Sequence, residues 1–309
     1  MLHPKIKEFI DEMAKVPGKP QWESTPVEVR ANANARWRSE FLGSADPVAK
    51  TEYRFISGPT ADLPIKIYTP EGIGPFRALV FFHGGGWVAG NIELNAVQHQ
   101  QIAHESRSVV IAVNYQKAPE HKFPIPFDDC YATLEWVHKN FHELNIDPDQ
   151  IGVGGDSAGG NIAAAVVMKA RDTRGPKVAF QVLIYPALDY RFDTPSMIDN
   201  ATGYMLTTQA MKWYWDQYLN EESDLTNPYF RPLLADDFSN LPPTLVLTAE
   251  LDPLRDEGEL FAARLKDAGV ASQLKRYDGL VHGFVLMQGF LPEAREAIHE
   301  VARFLHSME

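Results

Sequence analysis

Along the first 46 residues apolar positions recur at helical spacing. Ile6, Phe9, Ile10 and Met13 fall at i, i+3, i+4 and i+7, which predicts an amphipathic helix with one stripe to bury. Val16–Pro26 hold three prolines and a glycine and break that helix, and Val27–Phe41 turn helical again. After Pro47 the pattern changes to short β-rich runs. These predict strands at Tyr53–Ile56, Ile65–Tyr68, Ala78–Phe82, Val109–Asn114, Ile151–Gly155, Ala179–Ile184, Thr244–Thr248 and Gln273–Tyr277. The first two are close enough for a hairpin. The later ones alternate with helical periods such as Asp128–Asn140, Ala158–Arg171 and Arg255–Ala268. Such alternation predicts an α/β fold, an eight-stranded, mostly parallel sheet with helices on both faces.

One interval breaks the alternation. Tyr190–Arg231 is rich in tryptophan and tyrosine and too long for a simple crossover, so a cap inserted into the sheet domain is expected. The organisation predicted is therefore an N-terminal part of a helical cap at 1–46, a catalytic domain at 47–189 and 228–309, and a cap insertion at 190–227.

Composition narrows the function. With 45% hydrophobic and 23% charged residues the chain is ordinary globular material. A net charge of -12, with no basic run, argues against nucleic acid as a partner. The longest apolar stretch, Ile162–Met168, is far short of the roughly 20 residues that span a bilayer, so no membrane span is expected. Met1–Lys15 mixes charged with apolar residues, unlike a signal peptide. Cys130 is the single cysteine, which permits no internal disulfide or zinc cluster and fits a cytoplasmic setting. Its helical spacing with Leu134 and Val137 predicts a buried structural thiol.

The candidate chemistry lies where predicted strands end. Gly155-Asp156-Ser157-Ala158-Gly159 joins a predicted strand to a predicted helix, the context in which Gly-x-Ser-x-Gly forms a nucleophile elbow. So sharp a turn needs small residues two positions either side of Ser157. His83-Gly84-Gly85-Gly86 follows the Ala78–Phe82 strand, so Gly84 and Gly85, with Ala158, are the candidate oxyanion donors through their backbone amides. His83 precedes the nucleophile and is expected to hold the loop. In this fold the base comes last in the chain, after an acidic partner. His282, His299 and His306 lie late enough; His282, between Gly279 and Gly283 after the last predicted strand, is the candidate base. Asp252, in an Asp-Pro turn, is the candidate orienting carboxylate, ahead of Glu250, Asp256 and Glu257. No metal or cofactor is required by this set.

These residues resemble the bacterial hormone-sensitive-lipase-like (family IV) carboxylesterases of the α/β-hydrolase superfamily. The resemblance rests on four motifs in order: His83-Gly84-Gly85-Gly86-Trp87, Gly155-Asp156-Ser157-Ala158-Gly159-Gly160, Asp252-Pro253-Leu254-Arg255-Asp256-Glu257 and His282-Gly283-Phe284. It implies the triad Ser157, Asp252 and His282, the oxyanion donors Gly84, Gly85 and Ala158, and a helical cap. It also implies a homodimer, and hydrolysis of short- to medium-chain acyl esters by a serine carboxylesterase. Trp87, Met205 and Trp213 are candidate substrate contacts, and Tyr214, Trp215 and Tyr218 of the insertion, with Phe9, Met13, Trp22 and Trp37 at the N-terminus, are further candidates for the wall of an acyl pocket, most of these cap residues being expected to pack cap against core. One departure concerns Tyr115–Glu120, where Gln116 and Lys117 replace the usual arginine and leucine. Two alternatives stay open: an amidase or lactonase using the same triad, and a non-catalytic binding protein. The plant gibberellin receptors resemble this family and are of the second kind, but they lack the triad histidine.

Overall fold

The computed structural model describes residues 1–15 and 18–308. Val16 and Pro17, which begin the predicted break after the first helix, lie outside the described residues. The chain opens with α1 (Pro4–Met13), α2 (Pro26–Arg36) and the single turn α3 (Ser39–Leu42). Proline at the first helical position starts both longer helices, and Thr25 and Glu28 form a capping box at α2. Ile6 and Phe9 are the buried stripe of α1, and the Phe9 ring meets Phe41 edge-on at 4.8 Å.

Strands β1 (Lys50–Ser57) and β2 (Asp62–Thr69) form the predicted hairpin. There follow β3 (Phe76–Phe82), α4 (Ala96–Ser106), β4 (Val109–Val113), α5 (Ile125–Lys139), α6 (Phe141–Leu144), β5 (Ile146–Asp156), α7 (Ala158–Asp172) and β6 (Gln181–Ile184). The order β1-β2-β4-β3-β5-β6-β7-β8 is completed by β7 (Thr244–Leu251) and β8 (Ser272–Val281). Pairing is parallel from β4 to β8 and antiparallel at β1-β2 and β2-β4. Every residue of β3 and β4 is buried, as expected of central strands covered on both faces. Cys130 is a buried free thiol on α5.

Between β6 and β7 the chain makes α8 (Pro195–Asp199) and α9 (Thr208–Tyr218). Helix α9 buries Met211, Tyr214, Trp215 and Tyr218, a face at helical spacing. After β7 come α10 (Arg255–Asp267) and, after β8, α11 (Pro292–His306). No helix among the described residues is long and apolar enough to cross a membrane.

Candidate active site

Five loops meet at the carboxyl edge of the sheet, the edge at which ligands bind in open α/β sheets. Ser157 sits between β5 and α7 with φ 56°, a left-handed conformation that costs energy for a residue with a Cβ. The turn closes only because Gly159 has no side chain: a Cβ there would collide with the carbonyl of Phe82 on the neighbouring strand. The strain lifts the Ser157 side chain out of the sheet line and leaves the amide end of α7 behind it.

Ser157 Oγ lies 2.8 Å from His282 Nε2, and His282 Nδ1 lies 2.7 Å from Asp252 Oδ2. A carboxylate only accepts, so Nδ1 carries the proton toward Asp252 and Nε2 accepts from the serine hydroxyl. Asp252 is wholly buried, and its Oδ1 accepts from the Leu254 amide at 2.9 Å within the Asp-Pro turn. Both oxygens are thus fixed. The rival acids are bound elsewhere: Glu250 accepts from the Gly279 amide, Asp256 from the Ser196 amide, and Glu257 from Leu188 and Asp189 amides. Burial holds the Glu257 carboxyl well above its ordinary range. Of the other late histidines, His299 pairs with Glu105 and His306 is hydrogen-bonded to the Glu105 carbonyl, on the α4–α11 side of the molecule. His83 is buried, with Nδ1 donating to the Gly84 carbonyl at 2.7 Å and its ring stacked on Tyr115 at 4.4 Å. Burial pushes its pKa well below the usual histidine range, so it stays a neutral loop support.

The glycine loop differs from expectation. The Gly84 amide donates to Asp156 Oδ1 at 2.9 Å, so it is not available to a substrate oxygen. The amides of Gly85 and Gly86 have no partner among the described residues, and both glycines line the cavity in front of Ser157. Gly86 has φ 60°, and a Cβ on it would meet the Tyr214 ring. The free donors are therefore Gly85 and Gly86, with Ala158 at the start of α7.

Asp156 was invisible as a functional residue in the sequence, although it stands inside the serine motif. Its carboxylate bridges the Gly84 amide and Asn95 Nδ2, the latter at 3.2 Å, and so ties the glycine loop to the end of β5. Burial raises its pKa to about 6, opposed by the Gly84 amide and by His282. A carboxylate whose folded pKa lies above its unfolded value of 3.8 lowers stability when ionised, by up to about 3 kcal/mol at neutral pH. The penalty is absent below pH 3.8 and complete above about 6. Asp156→Asn should therefore gain stability relative to wild type as pH rises through this window. Thermal melts of both proteins at pH 4 and pH 7.5 check this, and a pH-independent difference contradicts the assignment.

The cavity above Ser157 has a volume of about 170 Å³. Helix α2 contributes Val29, Ala33 and Arg36, the segment before α9 contributes Met205 and Leu206, and α9 contributes Met211 and Tyr214. Of the candidate substrate contacts and pocket walls, Met205, Tyr214 and Trp37 line it. Trp87 does not: the glycine turn, with φ 59° at Trp87 itself, throws the indole back into the core, parallel to Tyr218 at 4.6 Å and against Trp215. Trp213 lies off the cavity-facing stripe of α9 and packs edge-on against Tyr214 at 5.2 Å. Tyr185, which the sequence did not mark as a contact, also lines the cavity. Tyr185, the first residue after β6, has φ 37° and places its ring 4.6 Å from the His282 imidazole.

The departure at Gln116 and Lys117 is absorbed by local polar contacts. Gln116 donates to Thr60 and Asp129, and Lys117 Nζ donates to Asn114 Oδ1 at 2.9 Å. Burial, then the Arg30 charge, lowers the Lys117 pKa to about 8. Arg30, from α2, binds the Val88 and Ala118 carbonyls and the Glu120 carboxylate, and thereby ties the N-terminal helices to both loops. Among the described residues no group of three or more His, Cys, Asp or Glu side chains is placed to hold a metal ion.

The sheet order, the serine elbow and the hydroxyl-imidazole-carboxylate relay together define the α/β-hydrolase class. The family of alpha/beta hydrolase fold proteins matches residues 79–286, and the chain belongs to it, in the hormone-sensitive-lipase-like branch. It is 39% identical over 262 residues to an arylesterase of Saccharolobus solfataricus, covering 84% of each protein. It is also 39% identical over 236 residues to the carboxylic ester hydrolase LipN of Mycobacterium tuberculosis, where the match takes in 74% of this chain and 63% of the relative. Among solved structures, an ester-hydrolase from the metagenome of Lake Arreo, complexed with a bipyridine phosphonate derivative, superposes with a TM-score of 0.95 at 36% identity over 99% of both chains.

Proposed function

We propose that this protein is a serine carboxylesterase acting on short- to medium-chain acyl esters through an acyl-enzyme on Ser157. The observation that carries the reading is the continuous relay from Ser157 Oγ through His282 to the buried Asp252, opening on a small cavity lined by both apolar and polar side chains. Ser157 Oγ attacks the ester carbonyl as His282 Nε2 takes its proton, and Asp252 stabilises the imidazolium that forms. The negative charge then develops on the carbonyl oxygen, which the amides of Gly85, Gly86 and Ala158 receive. His282 returns the proton to the leaving alcohol. The same imidazole next activates a water that attacks the acyl-enzyme, releasing the acid and restoring the serine hydroxyl. Residues 1–46 and 190–227 act as the cap over this site. The names of the ester-hydrolysing relatives support the reaction class, and the buried free thiol of Cys130 supports a reducing, cytoplasmic setting.

A cavity of about 170 Å³ is small beside the roughly 300–1,000 Å³ of ordinary ligand pockets. Turnover across a series of p-nitrophenyl esters is therefore expected to peak at short to medium acyl chains and to fall before about twelve carbons, a chain too long for a closed pocket. Rates climbing steadily past that length would remove the acyl-pocket reading. Comparable rates on a matched anilide would favour an amidase instead.

A further inference from the structure

The esterase chemistry makes no use of the positive charge at its cavity. Arg36 ends α2 and lines the cavity, as does Lys19. Neighbouring arginines are committed: Arg30 to Glu120, and Arg38 to Glu40 at 2.9 Å. Arg36 is half-buried, and its guanidinium makes no ion pair or hydrogen bond among the described residues. It stands close enough to Tyr214 for its charge to ease ionisation of that phenol, against the larger effect of burial. Tyr214 in turn packs over Gly86, one of the free amides of the glycine loop. The cation therefore belongs to the wall that faces the reacting carbonyl. The cavity's one carboxylate, Asp156, lies at the foot of the glycine loop and is already taken by Gly84 and Asn95. In a chain with 41 acidic and 29 basic residues, a guanidinium at the active cavity is left without a counter-charge among the described residues.

A planar guanidinium fork matches a carboxylate bidentately, and partial desolvation strengthens such a pair over an exposed one. We infer that the preferred substrates are esters bearing a free carboxylate away from the scissile bond, such as monoesters of dicarboxylic acids, with Arg36 as the carboxylate-binding residue and Lys19 adding to the field. This inference rests on the esterase reading and assigns its substrate class.

The test is the ratio of kcat/KM for monomethyl adipate to that for dimethyl adipate, followed by pH-stat. Arg36→Gln is expected to lower this ratio about tenfold, while Arg36→Lys keeps most of it. In wild type, 0.5 M NaCl should lower the ratio several-fold, because screening weakens an exposed-edge ion pair, and in Arg36→Gln salt should change it little. A ratio that stays within twofold in Arg36→Gln and is unmoved by salt in wild type, with dimethyl adipate still hydrolysed, overturns the carboxylate assignment and leaves the esterase intact. Hydrolysis of neither ester nor of any p-nitrophenyl ester overturns both.

Discussion

Replacing Ser157 with alanine is expected to lower kcat on a short acyl ester by on the order of 10⁵- to 10⁶-fold, with the fold retained. The magnitude follows from what is removed. The hydroxyl is the only atom that forms the acyl bond in the proposed reaction, and no other side chain lies where His282 Nε2 would activate it. The oxyanion amides and the cavity survive the substitution, and such remnants account for a residual rate of about 10³–10⁴ over water in serine hydrolases stripped of their nucleophile. Among the described residues the lost hydroxyl makes no hydrogen bond besides the one to His282, and the left-handed backbone at this position is as available to alanine as to serine. The variant should therefore melt within a few degrees of wild type. Because Ser157 and His282 act as a unit, adding His282→Ala to Ser157→Ala should cost almost nothing further. Steady-state rates for the three variants, beside their melting curves, check both statements. A Ser157→Ala rate within tenfold of wild type would end the acyl-enzyme proposal.

The parts of this fold that were legible in the sequence are those where burial forces a pattern. All eight strands appear where short β-rich runs predicted them, and the central β3 and β4 read most plainly, because a strand covered on both faces can carry almost nothing but apolar side chains. Their ends were not legible: the polar start of β5, Ile146–Gln150, and the extension of β8 to Val281 are held by pairing with neighbours rather than by their own composition. Helix α4 escaped notice because it buries Gln98, His99 and Gln101, so that apolar spacing does not mark its inner face. The same distinction runs through the site. Ser157, Asp252 and His282 could be picked out because each follows a strand, and strand ends share one edge of a parallel sheet. Three glycines in a row look alike in sequence, whereas in the structure the Asp156 carboxylate consumes the first amide and leaves the next two free. Trp87 and Trp213 are large and aromatic enough to wall a pocket. Their directions are set by a backbone dihedral and by a helix phase, neither of which residue type reveals.

Asp252→Asn is expected to cost about 10⁴-fold in kcat, the loss that the corresponding change produces in a serine protease. The geometry explains why an isosteric change should be so damaging. Asp252 Oδ1 is occupied by the Leu254 amide, so an asparagine there would keep its carbonyl on that donor and turn its NH₂ toward His282. Two donors then face one another unless the imidazole moves its proton to Nε2. In that tautomer Nε2 can no longer accept from Ser157 Oγ, and the imidazolium that forms during attack loses its counter-charge in a site from which Asp252 is wholly screened from water. Packing is unchanged, so KM should move far less than kcat. Asp256→Asn and Glu250→Gln serve as controls, since their carboxylates bind backbone amides away from the imidazole. Each should stay within about tenfold of wild type in kcat. If Asp252→Asn fell only as far as these controls, the orienting carboxylate would have to be sought elsewhere, and the buried pair seen at 2.7 Å would be structural.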